Sequence, residues 1–209
     1  TGSQKSSEAI GTDVYSNLRD SILVATDSNS INLGVVVVFN QQIFHSKYVK
    51  KIHSSSINGF GAIGYGKLGY IDNDEVVIYQ KPFRREYYEI KDSYPHVEIV
   101  YAYLGANGLI LKALSNEKVD GIVLIGGGRG QVTVPMKDVV PELIENGIKV
   151  VLVSSTKEGR VYPTYDYEGS ANNLNDMGVI MGGDYDAKKA RIKLMLMIAN
   201  NVENYNMFD

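Results

Sequence analysis

The chain has 209 residues, 44% of them apolar and 22% charged, with a net charge of −3. That composition suits a globular protein with its own core, one large or two small domains, and argues against a broad nucleic-acid-binding face. There is no cysteine, which removes thiol catalysis, zinc ribbons and disulfides together. It also leaves the compartment (cytoplasmic, periplasmic or secreted) unreadable.

No stretch approaches 18 consecutive apolar residues, so none reads as a membrane span. The opening residues carry no signal-peptide pattern. The chain starts at Thr1-Gly2 without an initiator methionine and reads like the interior of a longer protein.

Thr1 to Thr12 is small and polar, a loop. Asp13 is a fair N-cap, and Leu18, Ile22, Leu23 and Ala25 predict the apolar face of a helix running to about Thr26. After a turn at Asp27–Leu33, Val35 to Phe39 is an unbroken apolar run with four valines. Such a run predicts a strand buried on both faces, as in the middle of a parallel sheet. It stops at Asn40, and a polar loop is expected to carry His45, Lys47, Lys50, Lys51 and His53. Loops at the ends of buried strands are where open α/β sheets place their chemistry. Ser54 to Gly66 is glycine-rich and reads as a mobile loop. Gly69 to Tyr79, with Asp72-Asn73-Asp74 at its centre, predicts a β-hairpin.

Lys81 to Pro95 has no apolar periodicity and reads as a linker. Beyond it the rhythm is regular. Strands are expected at Val97–Tyr103, Gly121–Ile125, Ile148–Ser154 and Val179–Met181, with helices at Asn107–Ser115, Val134–Asn146 and Ala187–Asn200. This alternation predicts a parallel sheet with right-handed crossovers.

Most chemical motifs fail on detail. Gly126-Gly127-Gly128-Arg129-Gly130 lies between a strand and a helix, but Gln131 stands where a dinucleotide fingerprint needs a small residue, and no P-loop lysine follows. A tight turn or subunit-contact loop fits better. The three histidines, His45, His53 and His96, lack metal-ligand spacing. The acids of Asp72-Asn73-Asp74 do not extend into a calcium loop, and no nucleophile elbow is present. Tyr162 to Ser170, YPTYDYEGS, sets two carboxylates among aromatic rings that can pin the loop.

Several segments agree in order and separation: TGS with the later D-x-x-x-NL, VKKIHSSS, GKLGYI, EIVYAYLGA, YDYEG and KKARIKLML. Together they make the chain resemble the bacterial and archaeal L-asparaginases, the threonine amidohydrolases, over nearly its whole length. The resemblance implies hydrolysis of L-asparagine to aspartate and ammonia, with some glutaminase activity. It further implies acyl transfer through a nucleophilic threonine, no metal or organic cofactor, and a homotetramer of tight dimers.

Lys51 falls at the family's active-site lysine, part of a relay with a second threonine and an aspartate. The backbone of Ser3 matches the carbonyl that holds the substrate amide. Glu168, with Asp166 second, matches the acid that reaches a neighbouring subunit's site to bind the substrate amino group. Asp13 and Asn17 carry over as structural residues of the helix. Gly105 stands near the place where some relatives have an asparagine, and Asn107 is a candidate substitute. The family's threonine motifs are not in this sequence, which resembles the C-terminal two-thirds of an asparaginase and is expected to be inactive alone.

The domain expectation is residues 1–82 as the end of an N-terminal α/β domain, 83–95 as linker, and 96–209 as a flavodoxin-like C-terminal domain. Two alternatives stand beside the asparaginase reading. One is an asparaginase-like amidase subunit of a tRNA-dependent amidotransferase; the other is a non-catalytic α/β module that binds small molecules.

Overall fold

A computed structural model describes residues 1–208. The chain is a mixed α/β protein that divides into two compact units, Thr1–Glu86 and Tyr87–Asp209.

The N-terminal unit contains α1 (Val14–Thr26), β1 (Val36–Phe39), β2 (Gln42–His45), β3 (Lys50–Lys51), β4 (Phe60–Gly61), β5 (Gly69–Asp72) and β6 (Glu75–Ile78). Its main sheet has the order β1-β2-β5-β6, with every pairing antiparallel. The parallel surroundings expected for the valine run are therefore corrected. Asn40 and Gln41 adopt φ of 48° and 59°, a two-residue primed turn that folds the chain straight back along itself. The expected polar loop thus begins with β2, and Val35, before the strand, is 75% exposed. The β5–β6 hairpin has the same kind of turn at Asn73–Asp74, with φ of 43° and 73°.

Helix α1 lies over this sheet, and of the predicted face Leu23 packs on the core while the rest is exposed. Asn17, Asp20 and Val24 point inward, whereas Leu18 and Ile22 are 52% and 55% exposed. Val24 joins Val38, Ile43, Leu68, Ile71 and Val76 in the core. Polar Asn17 takes an inward position because it has three partners there, described below.

The C-terminal unit contains β7 (Val97–Tyr101), α2 (Leu109–Asn116), β8 (Gly121–Gly126), α3 (Val134–Lys137), α4 (Val140–Glu145), β9 (Lys149–Ser154), α5 (Ala171–Asp176), β10 (Ile180–Met181) and α6 (Ala187–Ala199). Its sheet runs β10-β9-β8-β7 and is parallel throughout. Both faces are covered. Ile122, Leu124, Val150 and Leu152 face one cluster with Leu111, Leu143 and Leu174. Val97, Val123, Val151 and Val153 face another with Leu194 and Met197 of α6. Two-sided burial explains the continuous apolar runs of β8 and β9.

The single helix predicted over Val134–Asn146 is two short ones, parted at Asp138–Val139. Pro141 stands in the first turn of α4, where the missing N–H costs nothing but a continuing helix would need it. Helix α5 was not predicted. It is one and a half turns long, and Ser170 caps it by accepting from Asn173 N at 3.2 Å. Residues 81–95 carry no helix or strand.

Candidate active site

Lys51 ends β3, the first arm of a two-stranded ribbon in which it pairs with Phe60 of β4. Its ammonium lies 4.9 Å from the Phe60 ring centre and is open to solvent. The ribbon is fixed at both ends. Phe60 packs on Phe39 at the end of β1, ring centres 4.7 Å apart. The loop beyond Lys51 closes when Ile52 N donates to Gly59 O at 2.8 Å, and His53 Nδ1 accepts from Ser55 N and Ser56 N. Asn58 ties the loop to β2, accepting from Gln42 Nε2 at 3.0 Å. Gly59 is required here: a Cβ would come within 2.6 Å of Ser56 O and would also strike the Gln4 side chain. Within the glycine-rich Ser54–Gly66 loop, Ser55 and Ser56 are thus hydrogen-bonded around His53.

Gln4 brings the amino-terminal segment to this loop, and Asn17 and Asp13 hold that segment in place. Asn17 Nδ2 donates to Gly2 O and to Asp13 Oδ2, both at 2.9 Å, while its Oδ1 accepts from Asn40 N at 2.9 Å. Asp13 occupies the cap position of α1 but does not bond the helix's early N–H groups. It accepts from Gln4 N and Lys5 N instead, at about 3 Å. Burial raises the Asp13 pKa, and these hydrogen bonds more than offset it, leaving the carboxyl below its usual value. Ser3 is exposed, between Gly2 and Gln4 that these contacts anchor. Ser3 and Lys51 therefore belong to neighbouring segments of one unit. The roles of Gln4 and Asn58 were missed by sequence reading. The i, i+4 spacing of Asp13 and Asn17, which puts both on one helix face, was a usable signal.

Glu168 and Asp166 belong to the other unit. The loop before α5 is pinned by Gly169, whose O accepts from Val132 N at 2.9 Å. At φ +79° a Cβ on Gly169 would also meet Val132 O at 2.5 Å, so only glycine fits. Next to it Glu168 Oε1 accepts from Lys137 Nζ at 3.0 Å, and Lys137 also pairs with Asp138 at 2.7 Å. The Asp138 and Glu168 contacts hold the Lys137 pKa above its usual value against the opposing effect of burial. Asp166 is exposed between Tyr165 and Tyr167, whose rings stack with centres 6.0 Å apart. Lys137, missed from the sequence, is what distinguishes the two acids.

The remaining motifs resolve as structure. In the Gly126–Gly130 loop, Gly127 N donates to Gln131 O while Gly130 N and Gln131 N donate to Gly127 O, all at 2.8 Å. A phosphate cradle would need such N–H groups turned outward. His45 Nδ1 accepts from Lys47 N, and His96 Nε2 meets Glu98 at 2.7 Å. Asp74 pairs with Arg19. Among the described residues, no group of three His, Cys, Asp or Glu side chains is placed to hold a metal ion.

Two family profiles account for most of the sequence. The profile "Asparaginase, N-terminal" matches residues 1–84, and "Glutaminase/Asparaginase C-terminal domain" matches residues 96–207. The chain belongs to the asparaginase family. Curated relatives agree. The chain is similar to the L-asparaginase of Bacillus licheniformis, 45% identical over 203 residues that make up 97% of this chain and 63% of that protein. It is 32% identical to a probable L-asparaginase of Deinococcus radiodurans, over 95% of this chain and 61% of that protein. The figure for L-asparaginase 2 of Escherichia coli is 30%, over 94% and 57%. The chain therefore spans less than two thirds of the length of these asparaginases.

Proposed function

We propose that this chain forms the greater part of an L-asparagine amidohydrolase, which converts asparagine and water to aspartate and ammonia and also accepts glutamine more weakly. The observation carrying this reading is the tandem match to both asparaginase domains, with high identity to a Bacillus L-asparaginase along almost the entire chain. In this reading residues 1–82 complete the N-terminal domain, 83–95 link, and 96–209 form the C-terminal domain.

The threonine nucleophile lies outside residues 1–209. Lys51 serves it indirectly. Its ammonium keeps a relay aspartate ionised and stabilises negative charge on a threonine hydroxyl as the proton leaves. The anchoring of the ribbon by Phe60, Asn58 and Gly59 supports such a role, because a relay group must be held to within a fraction of an ångström. The carbonyl at Ser3 accepts from the substrate's side-chain amide. Glu168, with Asp166 second, offers a carboxylate to the substrate's ammonium in a neighbouring subunit of a homotetramer built from tight dimers.

The test is intact mass together with ammonia release from L-asparagine and L-glutamine on one sample. Release by a species heavier than 23.1 kDa, reduced by roughly three orders of magnitude or more in Lys51→Ala, is the expected result. Equal release from the 23.1 kDa chain alone, or from the Lys51→Ala protein, would overturn the assignment.

A further inference from the structure

Glu168 stands on an exposed loop, with 71% of its side chain open to solvent. A glutamate in that setting samples many rotamers, and a ligand that must order one loses affinity by roughly ten- to thirtyfold. The surroundings of Glu168 remove much of that freedom in advance. Its backbone neighbours are tied first. Ser170 N donates to Tyr167 O and Gly169 N to Asn173 Oδ1, both at 3.1 Å. Gly169 O accepts from Val132 N, which joins the loop to the segment leading into α3. The side chain is then held from that same segment, by Lys137 Nζ on Oε1 at 3.0 Å.

Lys137 is the fixed member of this pair. It ends α3 with only 10% of its side chain exposed, and its N–H donates to Thr133 O at 3.0 Å. Thr133 Oγ1 in turn donates to Ala106 O at 2.7 Å, and Met136, beside Lys137, lies in the core. Asp138 supplies Lys137 with a further carboxylate at 2.7 Å. One ammonium between two carboxylates leaves a negative charge unbalanced. Lys137 therefore orients Glu168 without cancelling its pull on a cation. Oε2 of Glu168 accepts from no group among the described residues, so that oxygen is open to a donor.

We propose that Lys137 is a positioning residue for substrate recognition. It holds the Glu168 carboxylate in the orientation that receives the ammonium of L-asparagine, while Asp138 preserves the negative charge of the cluster. The inference rests on the reading that Glu168 binds that ammonium. Two effects of Lys137 oppose each other. Its charge repels a second ammonium, but at a solvent-exposed carboxylate this weakens binding by at most about fivefold. Ordering of Glu168 outweighs it, and without Lys137 the Asp138 carboxylate would push Glu168 away. Orientation wins.

Steady-state kinetics on the species that releases ammonia from L-asparagine test this. Succinamate, the same amide without the ammonium, is the second substrate. Lys137→Met should raise KM for L-asparagine about fivefold, with kcat for L-asparagine and kcat/KM for succinamate each within about twofold. Lys137→Arg, which keeps a charged donor, should bring KM back to within about twofold of the unaltered protein. Asp138→Asn, at a side chain 59% exposed, should raise KM for L-asparagine by about two- to threefold.

An unchanged or lower KM in Lys137→Met would overturn the proposal. So would an equal loss with succinamate, which would mark a defect of the fold. Where Lys137→Met does not fold, Asp138→Asn decides, and an unchanged KM there would overturn the proposal. Glu168→Gln separates this inference from the reading beneath it. A raised KM in Glu168→Gln but not in Lys137→Met removes the positioning role and leaves Glu168 as the ammonium's partner. An unchanged KM in Glu168→Gln removes that partner, and the positioning role falls with it.

Discussion

The C-terminal unit and the N-terminal unit are held together by different forces. In the first, a parallel sheet is buried on both faces, and Ile122, Val123, Leu124, Val150, Val151, Leu152 and Val153 are all fully shielded from solvent. Its cohesion is apolar and spread over many contacts. In the second, the sheet is antiparallel among the described residues, and the inward face of helix α1 carries buried Asn17 and Asp20. There the amino-terminal loop, the helix and the β1–β2 turn meet in a few directional hydrogen bonds around Asn17 and Asp13. Distributed packing tolerates loss of one contact in proportion to its size. A polar junction fails locally and nearly completely, because each broken bond leaves a buried group without a partner.

The largest effect should come from the apolar unit. Leu152 is fully buried and packs against the Gly130 turn, so Leu152→Ala should cost about 2–5 kcal/mol in urea denaturation. Its effect on exchange should stay within residues 87–208. A cost below about 1 kcal/mol would mean the site collapses around the loss, and the contrast drawn here would weaken.

Asn17→Ala should cost about 1–3 kcal/mol, all of it in the other unit. Hydrogen exchange should show Thr1–Lys5 and the β1–β2 turn opening together while α6 and β9 keep their protection. Uniform loosening of both units would break the comparison.

The smallest effect is confined to acid. Asp13 holds its proton less tightly folded than unfolded, so the unfolded chain binds more protons as pH nears the usual value of 3.8. Its contribution is fully present above that value and is lost as pH falls through the lower folded value. Asp13→Asn should therefore flatten the dependence of stability on pH between about 5 and 2 and leave the slope near neutrality unchanged. An unaltered acid slope would show that other carboxylates dominate it.

The same contrast explains which elements were legible in the sequence. In the C-terminal unit, residue type alone declares burial, so β7, β8, β9 and α6 fall within a residue or two of expectation. Pro141 divides a helix that periodicity would continue, and Ser170 starts a short one that periodicity is too brief to reveal. In the N-terminal unit, Leu18 and Ile22 were the natural inward face of α1, and they are not inward because Asn17 and Asp20 are. Nothing local distinguishes a buried asparagine from a solvated one. The distinction depends on Gly2 and Asn40, residues 15 and 23 positions away. The Asn40–Gln41 turn was missed because glutamine rarely takes positive φ.

For the candidate site, Lys51 and the Tyr162–Ser170 loop stood out through segments that resemble the asparaginase family in order and separation. Only the tertiary structure decided that the Lys51 ribbon is seated on Phe39, that Gln4 reaches its loop, and that Glu168 rather than Asp166 is paired with Lys137. Apolar burial is additive and written residue by residue. Hydrogen bonds and ion pairs are pairwise and directional, and they exist only once distant segments have been brought within about 3 Å.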